Sequence, residues 1–219
     1  MNFKNAVILR DALNKSSIRS FPVHIGILCV NDKESGGFEL RSEHSWRNSH
    51  VNRIRTFFPS HVKGMTDDEI NKIKKDDYKF FNLIYGGRLG NGKNEGYLYR
   101  GRAWPQITFK SNYRRLSTPE YDLVKDPDLL LRDAKIAASV CVAFYEKGFD
   151  AAFKNKKFKE SHGIESFSDI TTDNQAILAC AHITAGIGKS VTGKVVTRAF
   201  DNAFRSYEKI LDFYWNFTG

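Results

Sequence analysis

The apolar stretch SFPVHIGILCVNDK (20–33) limits the possible folds more than any other part of the chain. It stays apolar through Val30, which is typical of a helix that is buried in a protein core. Ser20 stands before it as a candidate N-cap, and Pro22 falls in the first turn, where proline is favourable. The stretch therefore predicts a buried helix that ends at the turn ESGG (34–37).

A second stretch, 66–87, predicts two short helices. Thr66 is followed three residues later by Glu69, which is the pattern of a capping box at a helix start. The stretch stops at the glycine pair 86–87, a common type of helix end. We place the joint between the two helices near Lys75.

Three longer segments complete a mostly helical prediction. Apolar residues recur at helical spacing over 133–147 and predict the central core helix, which Gly148 is expected to end. The segment 171–186 predicts a second helix with a Thr or Asp cap, and the segment from about Val191 to the C-terminus carries a third apolar face.

The segment 86–105 is the most irregular part of the chain, with six glycines between Gly86 and Gly101. Aromatic and polar residues alternate over 97–100, and Pro105 follows. This pattern predicts a loop with a short hairpin. Long loops with such backbone requirements are more often functional than decorative.

Composition favours one folded domain that is made without an export signal. The 219 residues are 41% hydrophobic and include 17 Phe and 9 Tyr, more than a disordered chain carries. We predict a single domain over 1–219, with the C-terminal helix on the same core. The first twenty residues never reach seven consecutive apolar residues, and no segment is long enough to span a bilayer, so we expect neither a signal peptide nor stable membrane insertion.

The net charge of +9 favours an acidic partner, such as nucleic acid, anionic lipid or an anionic cell-wall polymer. The basic residues are dispersed, and no recognition helix or zinc finger is visible, which disfavours nucleic acid.

Several kinds of chemistry lack support in the sequence. No two of the six histidines have the i, i+3 or i, i+4 spacing of a helical metal pair, so we expect no metal. Cys29, Cys141 and Cys180 lie among apolar residues without CxxC spacing and are predicted to be buried free thiols. No GxSxG elbow or P-loop is present, and no cofactor is expected.

Two glutamates, Glu34 and Glu43, are the candidate catalytic pair. Glu34 follows apolar residues, and a desolvated carboxyl group can hold its proton near neutrality and act as a general acid. Glu43 lies in the polar stretch LRSEHSWR (40–47), where nearby Arg41 and Arg47 are expected to favour its ionised form. Contrasting carboxyl groups are typical of glycoside hydrolysis, although 25 acidic residues also give many such pairs by chance, and a solvated loop is the alternative.

Three blocks in order carry a family resemblance: KESGGFE (33–39), YGGRLGNGKNEGYLYRGRAWPQITFKSNYRRLS (85–117) and AHITAGIG (181–188). Together they resemble the family 19 glycoside hydrolases, in the branch of phage endolysins and bacterial peptidoglycan hydrolases related to plant chitinases. The likeness spans about positions 20–190, and the middle block is the most specific.

The resemblance implies roles for individual residues. Glu34 falls on the family's general acid, Glu43 on the base that activates water, and Thr108 on the residue that helps to hold that water. The substrate-binding positions that it implies are Gln106, Asn112, Tyr113, Tyr85, Tyr99 and Arg88. The family inverts the anomeric centre, which requires carboxyl groups roughly 6.5–9.5 Å apart.

The chain also departs from the family's usual motifs. Lys33 replaces a histidine before the acid, Ala103 replaces the last glycine of a GRG motif, and Phe109 replaces the glycine of an IQLTG motif. The segment ITAG (183–186) replaces INGG and removes an asparagine near the base. These changes leave Glu34, Glu43 and Thr108 in place.

Five side chains in or beside these motifs have two interpretations each. Trp46 and Trp104 flank the motifs and are either sugar platforms or core residues. Arg88 and Arg100 can bind a peptide carboxylate or order the glycine-rich loop through hydrogen bonds to carbonyl groups. For Arg102 we favour the second, structural role.

The fold that we expect is of the α+β class, mostly helical and lysozyme-like, with a small β-hairpin beside the cleft.

The predicted function of this single catalytic domain is cleavage of the β-1,4 glycan strand of bacterial peptidoglycan by inverting acid–base hydrolysis. The protein would act on the cell wall after holin-dependent release, as an endolysin does, or after delivery by a secretion system, in which case an immunity protein is a further partner. The alternatives are a chitinase that acts on GlcNAc polymers and a catalytically inactive protein that binds cell-wall glycan.

Overall fold

The computed structural model describes residues 1–187, 189–190 and 192–216. A 3-10 helix spans Phe167–Asp169. The described residues also form twelve α-helices: α1 (Phe3–Lys15), α2 (Phe21–Ser35), α3 (Val51–Phe57), α4 (Asp67–Ile73), α5 (Asp77–Tyr85), α6 (Lys110–Leu116), α7 (Leu129–Arg132), α8 (Ala134–Lys154), α9 (Lys156–His162), α10 (Asp173–Ala185), α11 (Lys194–Phe204) and α12 (Tyr207–Asn216).

The predicted α+β class is wrong, and so is the lysozyme-like fold with a β-hairpin. Within the described ranges no residue belongs to a strand, and pairing is limited to isolated bridges, among them Ser42–Arg102 and Arg102–Ile107. The second bridge does not extend because the residues next to it, Ala103 and Gln106, have φ angles of 58° and 50°. Extended strands require negative φ, so the chain turns away after one pair.

The chain divides into two compact units. The terminal unit comprises Met1–Arg41, Ala103–Pro105 and Leu130–Gly219, and the central unit comprises Ser42–Arg102 and Gln106–Leu129. Each unit is described separately below. The single catalytic domain over 1–219 stays a prediction.

The core of the terminal unit is built around α2, and the prediction of a buried helix there is confirmed. Every residue of α2 from Val23 to Asp32 is buried, and α2 contacts α10, α11, α12 and α1. Ser20 is the N-cap residue, but its side chain makes no capping hydrogen bond. The helix ends at Gly36, which has the left-handed conformation with φ of 68°.

Gly26 lies where α2 crosses α10 most closely. A Cβ atom at this position would lie 2.7 Å from the carbonyl carbon of Ala176 and 2.8 Å from its oxygen. We expect Gly26→Ala to lower the free energy of unfolding by about 2 kcal/mol, because backbone atoms of α10 cannot move aside as a side chain could. Urea denaturation of the variant tests this. Ala176→Gly, the reverse change in the facing helix, is the comparison, and an unchanged midpoint for Gly26→Ala would contradict the expectation.

The predicted helix at 133–147 is confirmed as α8, but its predicted end is wrong. The helix continues through Gly148 to Lys154 because Phe149 and Ala152 are again buried apolar residues. Their burial outweighs the helix penalty of about 1 kcal/mol for one glycine. A Cβ atom at Gly148 would lie 2.5 Å from a methyl carbon of Ile183, so the glycine allows α8 and α10 to approach closely.

The other terminal-unit predictions have mixed outcomes. The helix at 171–186 is confirmed as α10, which begins with a capping box of Thr172 and Gln175. The C-terminal segment forms two helices, and Ser206 between them donates a hydrogen bond of 2.6 Å to buried Asp32. Two predicted positions lie outside the described residues: Val191, where the C-terminal segment was expected to begin, and Gly188, the last residue of the block 181–188. The three predicted buried free thiols are confirmed.

The central unit confirms the two short helices predicted at 66–87. Thr66 and Glu69 form the predicted capping box of α4, and α5 ends at Tyr85 before Gly86. Residues 74–76 separate the two helices. A hydrophobic cluster holds α3, α4 and α5 together, and its buried members are Val51, Ile54, Val62, Ile70, Phe80 and Ile84. Of the residues that the structure describes, none belongs to a helix long and apolar enough to cross a membrane.

Candidate active site

The carboxylate of Glu43 is the centre of a hydrogen-bonded group in the central unit. Its Oε1 accepts a hydrogen bond of 2.9 Å from the Tyr85 hydroxyl and one of 3.5 Å from Trp46 Nε1. Its Oε2 accepts one of 3.4 Å from the backbone N–H of Gly101. The Glu43 backbone is fixed as well, because its N–H donates to the Gly101 carbonyl at 2.7 Å. Tyr85 and Gly101, both from the middle block 85–117, therefore meet at this carboxylate.

Two side chains approach the backbone of Gly101 closely. A Cβ atom there would lie 2.7 Å from Oε1 of Gln106 and 3.4 Å from Oε2 of Glu43. The first distance is shorter than any ordinary Cβ contact. The glycine of the motif YRGR (99–102) thus leaves room for the predicted base and a predicted substrate-binding residue close to one backbone position.

The pKa of Glu43 is raised, which corrects the predicted contrast between the two carboxyl groups. Burial is the largest cause, and the hydrogen bonds from Tyr85, Gly101 and Trp46, together with the charge of Arg100, oppose it. Sequence neighbours such as Arg47 were expected to favour the ionised form, but the folded chain surrounds the carboxylate with two aromatic side chains. Desolvation therefore outweighs the nearby positive charge.

Glu34 lies in the terminal unit, in the last turn of α2. Burial also raises its pKa, as the sequence predicted, and the positive charge of Arg41 opposes the shift. Arg41 donates a hydrogen bond of 3.0 Å to the Glu34 backbone carbonyl, so this guanidinium group also ties the helix end to the segment that follows it. A carboxyl group of this kind favours its protonated form more than a solvated one does.

Arg102 is structural, as predicted. Its side chain is 2% exposed; Nε pairs with Asp128 at 2.7 Å, and a terminal nitrogen donates to the Leu98 carbonyl at 2.7 Å. The same nitrogen donates to the Arg100 carbonyl at 3.1 Å and to the Tyr113 hydroxyl at 3.0 Å. One guanidinium group therefore holds the backbone that leads to Gly101.

The two predicted substrate-binding residues Tyr99 and Tyr113 are buried in the central unit. They are 2% and 0% exposed. The Tyr99 hydroxyl donates to the Val124 carbonyl at 3.1 Å, and the Tyr113 hydroxyl donates to the Arg100 carbonyl at 2.8 Å. In this structure they support the loop rather than offer a surface to a ligand.

Gln106, Thr108 and Asn112 are joined by hydrogen bonds to main-chain carbonyl groups, whereas Arg88 contacts the end of α5. The Thr108 hydroxyl donates to the Gln106 carbonyl at 2.9 Å, and Asn112 Nδ2 donates to the Thr108 carbonyl at 2.8 Å. Arg88 donates to the Ile84 carbonyl at 3.0 Å, so one of its nitrogens is used to hold the end of α5.

The two tryptophans differ in environment. Trp104 is completely buried in the terminal unit, where Nε1 donates to the Phe38 carbonyl at 3.0 Å, which confirms the core interpretation. Trp46 is partly buried against Phe58 and Phe80 in the central unit, with its Nε1 directed at Glu43.

Arg100 is one of the residues for which the sequence left two roles open. Its guanidinium group lies 4.1 Å from the centre of the Tyr97 ring and donates to the Tyr97 carbonyl at 2.8 Å. Among the described residues no carboxylate lies within ion-pair distance of it, and its charge lowers the pKa of Glu43.

Sequence spacing missed a histidine pair in the terminal unit. His162 and His182 are 20 residues apart, and their ring nitrogens Nε2 and Nδ1 lie 2.8 Å apart. His182 Nε2 lies 2.9 Å from the Lys189 carbonyl. Over the ranges that the structure describes, no group of three or more His, Cys, Asp or Glu side chains could hold a metal ion.

Comparison with known proteins adds no family assignment. The chain matches no protein-family model. No curated protein sequence matches it either.

Proposed function

We propose that the chain hydrolyses the β-1,4 glycan strand of bacterial peptidoglycan, with Glu34 as general acid and Glu43 as general base. The observation that carries the proposal is the Glu43 carboxylate, which is partly buried, held by three donors and bordered by Gly101 and Gln106. Every one of these residues except Trp46 belongs to one of the blocks that resemble family 19 glycoside hydrolases or to a position matched with that family.

In the proposed reaction, the Glu34 carboxyl group gives its proton to the glycosidic oxygen as the bond to the anomeric carbon breaks. Glu43, ionised, takes a proton from a water molecule, and the resulting hydroxide oxygen bonds to the anomeric carbon from the opposite face. Proton exchange with solvent returns both groups to their starting forms. The proposal requires both carboxyl groups to reach one glycosidic bond and uses no cofactor.

The raised pKa values support these roles. An acid must still hold its proton at the working pH, and burial moves Glu34 in that direction. A base with a raised pKa takes a proton more readily, provided that enough of it is ionised. The donors at Glu43 provide that balance because each of them favours the carboxylate over the carboxylic acid.

Tyr85→Phe tests the assignment of the base. Removing the hydroxyl takes away the largest influence that lowers the pKa of Glu43, so this pKa is expected to rise. A base works only when ionised, so the acidic limb of the pH profile of kcat/KM should move to higher pH. Tyr78→Phe, which removes an exposed hydroxyl from the same helix, is the control. An unmoved acidic limb would count against Glu43 as the base.

Arg100 favours an anionic glycan over a neutral one. Its partly buried guanidinium group lacks a carboxylate partner among the described residues, and such a group binds carboxylates well. Peptidoglycan carries carboxylates on its lactyl peptides, whereas chitin carries none. We therefore propose that Arg100 contacts a carboxylate of the substrate.

At a pH above the acidic limb of both pH profiles, where Glu43 is ionised with or without the charge of Arg100, Arg100→Gln is expected to reduce kcat/KM on peptidoglycan about tenfold or more. Turnover of N-acetylglucosamine oligomers should stay within about twofold, since a charged hydrogen bond is worth about 1.5–3 kcal/mol. Arg114→Gln, which removes an exposed charge from α6, is the matched control. Equal losses on both substrates would show that Arg100 does not bind a carboxylate of peptidoglycan.

The test of the function is digestion of purified peptidoglycan by the wild type and by Glu34→Gln, with the released fragments identified by mass spectrometry. New reducing-end sugars from the wild type alone are the expected result, and the terminal sugar identifies the bond that is cut. Cleavage of chitin oligomers without cleavage of peptidoglycan would make the protein a chitinase. Binding of peptidoglycan without any cleavage would make it a glycan-binding protein.

A further inference from the structure

Phe109, in the central unit, has a backbone conformation that phenylalanine does not favour. Its φ of 72° and ψ of 137° lie in a region that glycine occupies readily, and a bulky residue with positive φ is a genuine outlier. Phe109 is also the N-cap residue of α6, where its side chain makes no capping hydrogen bond and where serine, asparagine or glycine is preferred. Glycine would therefore meet both local requirements better than phenylalanine does.

The surrounding chain fixes this conformation. The Phe109 N–H donates to the Tyr99 carbonyl at 2.9 Å, and the Phe109 carbonyl accepts from the N–H groups of Asn112 at 2.9 Å and Tyr113 at 3.2 Å. Unfavourable backbone conformations persist only where the structure around them enforces them, and they cluster at functional sites. The cost at Phe109 therefore points to its ring.

The ring of Phe109 is partly buried and packs against Tyr85. The two ring centres are 5.2 Å apart and the planes are inclined by 77°, so the contact is edge-to-face, a favourable arrangement for an aromatic pair. The Tyr85 ring also lies nearly parallel to that of Phe81, with the centres 6.0 Å apart. The guanidinium carbon of Arg88 lies 5.4 Å from the centre of the Phe109 ring. Two rings of different orientation thus restrict the movement of Tyr85.

The position of Tyr85 matters because its hydroxyl is the closest of the three donors to Glu43. Its hydrogen bond to Oε1 is 2.9 Å long, compared with 3.4 Å for the bond from Gly101 and 3.5 Å for the bond from Trp46. Hydrogen bonds weaken steeply when their distance or angle departs from the optimum. A small displacement of the Tyr85 ring would therefore remove much of what this donor contributes at Glu43.

We propose that Phe109 is a positioning residue of the candidate active site. Its ring holds the Tyr85 hydroxyl against the Glu43 carboxylate, and the unfavourable backbone conformation of Phe109 is retained because the ring is needed there. The effect of Phe109 on turnover rests on the proposed function. Its effect on Tyr85 and on the protonation of Glu43 does not.

The test is an NMR titration of the full chain that follows the carboxyl carbon of Glu43. Phe109→Leu keeps an apolar side chain but removes the ring edge, so Glu43 should lose part of its hydrogen bond from Tyr85 and its pKa should rise. If the ring only kept water away from Glu43, its removal would lower this pKa instead. Tyr85 and Arg100 act on Glu43, Arg88 acts on Tyr85, and all three are unchanged in this variant.

A second background shows whether Phe109 acts through Tyr85. In Tyr85→Phe the hydroxyl is already gone, so adding Phe109→Leu should cause no further rise in the Glu43 pKa. With Tyr85 present, Phe109→Leu should lower kcat/KM about fivefold on the acidic limb, the typical contribution of one hydrogen bond, and the loss should disappear at higher pH. Phe3→Leu, the same change at a ring that is 47% exposed in the terminal unit, should alter neither quantity.

The backbone strain is tested by Phe109→Gly and Phe109→Ala, which both remove the ring. Alanine is strained at a φ of 72° and glycine is not, so Phe109→Gly should have the higher urea midpoint. This comparison measures the strain directly and does not require either variant to be active.

Three results would overturn the inference. The first is an unchanged or lowered Glu43 pKa in Phe109→Leu. The second is an equal rise in the Tyr85→Phe background, which would show that Phe109 acts without the Tyr85 hydroxyl. The third is a urea midpoint for Phe109→Ala as high as that for Phe109→Gly, which would show that the backbone carries no strain. If the Glu43 pKa responds as expected while the wild type cuts neither peptidoglycan nor chitin oligomers, the proposed function is rejected and the positioning role remains.

Discussion

Glu43→Gln is expected to reduce the turnover of peptidoglycan about a thousandfold while the fold remains intact. The amide has nearly the same shape as the carboxyl group, and its oxygen can still accept the hydrogen bond that Tyr85 donates at 2.9 Å. It cannot take a proton from water, and removing a general base typically costs about 10²–10⁴ in rate. Release of soluble fragments from purified peptidoglycan measures the loss.

The matched control for this prediction is Glu39→Gln. Glu39 lies four residues before Glu43, is exposed, and accepts one long hydrogen bond of 3.5 Å from Asn2. The same chemical change there should leave turnover within about twofold, because an exposed side chain away from the site rarely matters. If Glu43→Gln keeps more than a tenth of the wild-type rate, or if both variants lose activity equally, Glu43 is not the base.

Arg102→Met is expected to give the largest loss of stability, about 3 kcal/mol. Methionine fills a similar volume but leaves the Leu98 and Arg100 carbonyls without their charged donor, and a buried ion pair that loses one partner costs about 3–5 kcal/mol. The lower end of that range applies because the Asp128 side chain is 53% exposed and regains water. Urea denaturation, followed by a probe in the central unit, measures the shift of the midpoint.

The comparison for Arg102→Met is Arg115→Met. Arg115 is exposed on α6 and donates a hydrogen bond of 3.4 Å to Oδ1 of Asn112, so this change removes the same charge with an effect within about 0.5 kcal/mol. Similar midpoints for the two variants would show that the Arg102 contacts contribute little. Because the chain has two compact units, each variant needs probes in both, and a two-state analysis applies only if the probes coincide.

Helix positions were predictable where local signals decide them. The capping box of Thr66 and Glu69 and the left-handed glycine at position 36 act within one helical turn, so the sequence contains all of the relevant interactions. The end of α8 was not predictable from Gly148, because burial of Phe149 and Ala152 depends on helices that are distant in sequence. The predicted hairpin is absent from the described residues for a similar reason. Ala103 and Gln106 have positive φ angles that end the pairing, and neither residue type favours such angles.

The candidate site likewise has features that the sequence predicted and features that depend on distant parts of the chain. The sequence selected Glu34 and Glu43 as two carboxyl groups in contrasting surroundings, and the family resemblance added Thr108. Apolar neighbours were enough to predict the direction of the Glu34 pKa shift. For Glu43 the neighbours in sequence were misleading, because charged residues beside it along the chain do not determine its surroundings. Tyr85, 42 residues away, and Gly101, 58 residues away, do.

The sequence by itself therefore determined the helical character of the chain, the buried path of α2, the free thiols and the identity of the candidate residues, because each of these depends on local pattern and composition. Only the tertiary structure decided that strands are absent from the described residues, that Tyr99 and Tyr113 are buried, and that burial raises the pKa of Glu43. These properties arise from long-range packing. It sets the desolvation and the backbone conformation at each position, whatever conformation the residues adjacent in sequence favour.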